Sequence, residues 1–112
     1  MILRINRNQA KAMLGGMTFE LTAKVEFTQE EAELMAKYNV HKEVVFWQEI
    51  SVFGKGVNKR LTITDLVKGF TFSGKGITEI LEAEKNLREA CQTMKNYLKI
   101  MKSFGGEEVY EF

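Results

Sequence analysis

From Met17 to Phe27 the chain alternates without a break. Met17, Phe19, Leu21, Ala23, Val25 and Phe27 fall on one face, and Thr18, Glu20, Thr22, Lys24 and Glu26 on the other. A period of two specifies a strand with one covered face and one wet face. Strands of parallel sheets are buried on both sides and read as unbroken apolar runs, so this pattern asks for an antiparallel sheet. Just upstream, Gly15-Gly16 can supply the positive φ angles of a tight turn, and MILRIN reads as a short strand, so AKAMLGGMTFEL reads as a hairpin.

The strand runs into a helix start. Thr28 and Glu31 form the capping-box pattern T-Q-E-E, in which each side chain satisfies an orphan backbone N–H, with Phe27 and Ala32 at the staple positions. Leu34, Met35 and Tyr38 make a short apolar stripe, and Asn39 suits a left-handed closing residue. EVVFWQEISVF, from Glu43 to Phe53, is rich in β-branched and aromatic residues and reads as a second long strand. GKGVNK is a turn, RLTIT (Arg60 to Thr64) a return strand, and Thr64 a cap for one helical turn, DLVK, ended by Gly69. FTFS reads as another short strand.

From Ile77 to about Ser103, apolar residues recur at Ile80, Leu87, Cys91, Met94, Leu98 and Met101, flanked by Ala83, Ala90, Tyr97 and Phe104. Glu79, Glu82 and Glu84 come early and Lys95, Lys99 and Lys102 late, which complements the helix dipole. Such a helix is about 40 Å long. The tail EEVYEF reads as an edge strand. The predicted fold is α+β: a mostly antiparallel sheet of five or six strands, a short helix after the second or third strand, and a long C-terminal helix packed on the sheet, all in a single domain over residues 1–112.

Composition bounds the function. Sixteen basic and 15 acidic side chains leave a formal net charge of +1, too little for a surface that is basic throughout, although a local basic patch survives the averaging. A single cysteine, Cys91, excludes an intramolecular disulfide and points to the cytoplasm. No apolar run reaches the roughly 18 residues of a membrane helix.

GFTFSGKG, Gly69 to Gly76, mimics a phosphate loop but has Gly76 where the magnesium-binding hydroxyl belongs. Its alternating spacer reads as a strand, followed by a Gly-Lys-Gly turn around Lys75. His41 is the only histidine, so a metal site is short of ligands, and Cys91 lies on an apolar stripe, where a thiol is inert. The carboxylates fall on wet faces. No catalytic residue, cofactor or metal is therefore expected.

Two binding surfaces stand out. In FWQEISVFGKGVNKR, Trp47 is followed by Lys55, Lys59 and Arg60, an aromatic for base stacking beside cations for phosphate. The nine residues Trp47 to Lys55 resemble the W-x-x-V-x-x-F-G-K string of bacterial single-stranded-DNA-binding proteins. That family's barrel and acidic tail have no counterpart elsewhere in the chain. The resemblance implies a nucleic-acid contact at Trp47. The second surface is the end of the long helix, where Met94, Tyr97, Leu98, Met101 and Phe104 form a stripe suited to another helix. The expected function is a non-enzymatic protein that works by protein contact as a homo-oligomer, with a homodimer the simplest form. The alternative is a single-stranded nucleic-acid-binding module centred on Lys55 to Arg60, helped by Arg4, Arg7, Lys11, Lys68 and Lys75.

Overall fold

Two hairpins, each leading into a capped helix, precede a last strand and the long helix. The computed structural model describes residues 1–11, 14–52, 54–74 and 76–112. Strand β1 (Ile2–Lys11) pairs antiparallel with β2 (Met17–Glu26), from Ile2↔Glu26 to Lys11↔Met17. Helix α1 (Gln29–Lys37) follows, then β3 (Val44–Val52), β4 (Lys55–Thr62), α2 (Ile63–Lys68), β5 (Phe70–Gly74) and α3 (Ile77–Ser103). This is the α+β order expected from the sequence, with the antiparallel strands divided between two sheets. One has the order β1-β2-β5, and the other is the β3-β4 hairpin.

Several local expectations are met at atomic detail. The Thr28 hydroxyl accepts from the Glu31 N–H at 3.2 Å, and the Glu31 carboxylate accepts from the Thr28 N–H at 2.9 Å. Asn39 has φ 56°, and Gly15 has φ 88° in the first hairpin's loop. Four boundaries differ. β4 begins at Lys55 and ends at Thr62, so most of GKGVNK, expected as a turn, is strand, because β3 offers it pairing partners down to Val52. β1 continues to Lys11, well beyond MILRIN, because β2 offers pairing partners along its whole length. The second cap is Thr62, not Thr64: Asp65 and Thr62 exchange the two capping-box hydrogen bonds at 2.8 and 3.2 Å. The Thr64 hydroxyl instead donates to the His41 carbonyl at 2.9 Å. Residues 107–112 form no strand; they follow Gly105, which has φ 93°, and are exposed throughout.

The inner face of β2 follows its alternation from Leu21 onward, while Met17 at its start is 52% exposed. Leu21, Ala23 and Val25 are buried, and Phe72 on β5 joins them opposite Leu21. Along α3, Ile80, Ala83, Leu87, Ala90, Met94, Leu98 and Met101 are buried in the same cluster, with Met35 of α1, Ile63 and Leu66 of α2, and Val45 and Phe46 of β3. Each fully covered large aliphatic side chain contributes about 1.5–3 kcal/mol. The particle is elongated, with extents of 60 × 33 × 20 Å and a radius of gyration of 17.2 Å. A compact chain of this length would have roughly 13 Å. Among the described residues no helix is long and apolar enough to cross a membrane.

Candidate nucleic-acid interface

The position of Trp47 is decided two residues before it. Val44 pairs with Thr62 and Phe46 with Leu61, so Val45 is an extra residue, a β-bulge. A bulge lets neighbouring residues break the alternation, and both Val45 and Phe46 are buried. Beyond the bulge the period of two resumes, with Phe46, Gln48 and Ile50 turned inward and Trp47 and Glu49 outward. Trp47 is 55% exposed. Arg60 lies directly opposite it on β4 and is also exposed. Opposite residues of an antiparallel pair share a face, so an indole and a guanidinium stand side by side facing solvent. Among the described residues neither has a hydrogen-bond or ion-pair partner.

The same parity divides the four residues expected to act as one surface. Lys55 and Lys59 fall on the side of the hairpin away from Trp47 and Arg60. Lys55 is exposed near the tip. Lys59 is half-buried and turned toward β5, with its ammonium 3.5 Å from the Thr71 carbonyl oxygen and 5.6 Å from the centre of the Phe70 ring. Lys59 therefore straps the hairpin to the edge of the other sheet. Glu49 lies with its carboxylate over Gly56, where a Cβ would collide with it. Phe53, the remaining aromatic of this segment, and Lys75 of the Gly-Lys-Gly turn lie outside the described residues.

Between this hairpin and α3 runs a polar groove of about 270 Å³, lined by Trp47, Gln48, Asn58 and Arg60 with Glu82 and Asn86 of the helix, and by Glu49 and Lys59. Gln48 is 5% exposed, and among the described residues its buried Oε1 has no hydrogen-bond donor. A buried amide oxygen left unpaired is costly. Sequence reasoning did not reach Gln48, Asn58, Glu82 or Asn86. The i, i+4 spacing of Glu82 and Asn86 puts them on one helix face, but nothing local to either segment places that face beside β3.

The cations of the first hairpin are arranged differently. Arg4 is paired with Glu26 at 3.0 Å, and Arg7 is paired with Glu84 on α3. Its hydrogen bond from Arg7 holds the Glu84 carboxyl below the usual carboxylate range.

The helix stripe expected to meet a partner is distributed between core and surface. Met94, Leu98 and Met101 are buried within the chain, so the seam expected there has no free surface at these three positions. α1 packs against α3 and brings Leu34, Met35 and Tyr38 into the same cluster. Tyr97 is half-buried, and Phe104 is 62% exposed and stacks on Tyr38 with ring centroids 5.4 Å apart. The tail lies against another side of the helix, where Glu108 and Tyr110 share a groove with Asn96, Lys99, Ile100 and Ser103.

The remaining chemical candidates stay apart. Cys91 is free and half-buried, and burial pushes its thiol above the ordinary value. His41 is half-buried. Its carbonyl accepts from the Thr64 N–H at 3.0 Å, and its Nδ1 is buried without a partner among the described residues. Among the described residues no three metal-ligating side chains come together. Comparison with models of known protein families, with characterised proteins and with solved structures finds no match for this chain.

Proposed function

We propose that this chain is a single-stranded nucleic-acid-binding protein whose contact surface is the outer face of the β3-β4 hairpin. The observation that carries the reading is the exposed Trp47–Arg60 pair. Strand-binding surfaces combine a stacking platform with backbone-neutralising cations, and an aromatic ring serves any base because every base has a π-face. Of the expected cations, Arg60 stands on this face, and Lys55 lies near the hairpin's tip on the opposite one. The Trp47–Lys55 string that resembles one in single-stranded-DNA-binding proteins, with Ile50 in place of its valine, begins with Trp47 on β3.

Trp47 is the only tryptophan, so its fluorescence is a built-in reporter. Titration with a thymidine strand of about 16 nucleotides should quench it, with an affinity that falls steeply between roughly 50 and 200 mM salt through counterion release. Trp47→Ala, followed by anisotropy of a labelled strand, should weaken binding by about 1–3 kcal/mol. A wild-type protein that shows no binding at low salt would overturn the reading.

A second reading, contact with a protein partner or a second copy of the chain, is supported by Ile100 and Phe104, which are 57% and 62% exposed near the end of α3. Light scattering at high concentration tests it. A monomer mass throughout would remove the homo-oligomer.

A further inference from the structure

We infer that the groove between the β3-β4 hairpin and α3 is a subsite for one guanine base of the bound strand. The inference rests on the reading of this hairpin as a strand-binding face. Trp47 and Arg60 belong to both surfaces, so the groove opens onto the face that would carry the strand.

The groups in the groove are odd ones for a surface that holds phosphate. Glu82 repels a phosphate, yet it sits in the wall, and among the described residues it has no hydrogen-bond or ion-pair partner. Gln48 also lines the groove, but its Oε1 is buried out of reach of solvent. The Glu82 carboxylate therefore calls for N–H donors. On the other side, Arg60 is a free fork of donors that calls for acceptors. At about 270 Å³ the groove lies just below the roughly 300–1,000 Å³ of ordinary small-molecule pockets, which suits one planar base.

Guanine answers both demands at once. Its N1–H and N2–H₂ stand side by side and can be accepted by the two oxygens of the Glu82 carboxylate. Its O6 and N7 are the acceptor pair that arginine recognises in the commonest base-specific contact. Adenine and cytosine each offer only one exocyclic amine, whose two N–H groups diverge toward different edges of the base, and thymine only N3–H. In each of these cases one oxygen of Glu82 is left without an N–H, and the loss of that hydrogen bond gives the discrimination.

The test follows Trp47 fluorescence with thymidine strands of about 16 nucleotides carrying one central guanine, adenine or inosine. The guanine strand should bind on the order of tenfold more tightly than the adenine strand. Inosine, which lacks the 2-amino group, should fall between them. Glu82→Gln and Glu82→Ala, both on an exposed helix position, should bring guanine down to the level of adenine. If strands bind but guanine, inosine and adenine bind alike, the guanine subsite is wrong and the strand-binding face stands. If no strand binds at all, the strand-binding reading falls and takes the subsite with it.

Discussion

The chain contains two successive units of the same construction, and they do opposite things with their charges. Each is a hairpin that ends in a threonine capping box and a short helix: β1-β2, Thr28 and α1, then β3-β4, Thr62 and α2. In the first unit, Arg4 and Arg7 are each met by a glutamate. In the second, Arg60 has no partner among the described residues and stands beside an exposed indole. The first hairpin also has a partner strand on its second side, because β5 pairs with β2. The second is held to β5 by the Lys59 side chain instead of a backbone ladder. Basic residues therefore do not mark a binding face by their presence. A cation that a neighbouring carboxylate already neutralises has little left to offer a phosphate.

The strongest test of this contrast uses adjacent residues on opposite faces of the second hairpin. Phe46→Ala should destabilise the fold by about 3–5 kcal/mol, measured by urea unfolding, because a large, fully buried ring leaves a cavity. Trp47→Ala should leave the unfolding midpoint near that of the wild type and act on strand affinity instead. If Trp47→Ala unfolds the protein as readily, the indole is structural and the two hairpins are used alike.

A smaller effect is expected at the caps that close each unit. Thr28→Ala and Thr62→Ala should each cost about 1 kcal/mol. The partner carboxylates add a pH signature. Hydrogen bonds from the Thr62 N–H, and then from its hydroxyl, hold Asp65 below its ordinary range. For Glu31 burial pushes upward, and hydrogen bonds from the Met1 ammonium and Thr28 N–H outweigh it, so this group too is lowered. A carboxylate with a depressed native pKa contributes stability that is complete above its unfolded value and lost as pH falls through the native one. Stability should therefore decline on acidification below the usual carboxylate range. In Thr62→Ala the part of that decline due to Asp65 should shrink, visible in thermal melts at neutral and acidic pH. A decline unchanged by the substitution would detach Asp65 from the cap.

The smallest effects separate the cations of the two units. On an all-thymidine strand, which offers no guanine to occupy Arg60, Arg60→Gln should flatten the dependence of log affinity on log salt by roughly 0.7, the value of one phosphate on a single strand. Arg4→Gln should leave that slope where it was, since its guanidinium already serves Glu26. Equal slopes in the two variants would erase the distinction.

What could be read from sequence was what neighbouring residues decide among themselves. The strand from Met17, the Thr28–Glu31 box and the helix from Ile77 to Ser103 depend on local spacing, and all three are present. The face taken by Trp47 depends on the bulge at Val45, which swaps inside for outside and leaves no mark in a run of β-branched and aromatic residues. Lys59 looks like one more loop cation until β5 arrives with the Thr71 carbonyl. Met94, Leu98 and Met101 read equally well as core or seam, because the covering element, α1, lies far away along the chain. The groove has the same origin: its two walls come from β3-β4 and α3, and only the packing of one on the other brings Gln48 beside Glu82.

The elongated outline has a consequence for how the molecule behaves in a column. Its radius of gyration, 17.2 Å, is that of a compact chain of roughly 220 residues, about twice its own length. A single copy will therefore elute somewhat earlier from a sizing matrix, and sediment more slowly, than a compact chain of its mass. Hydrodynamic size alone would overstate that mass, and a mass measured independently of shape corrects it.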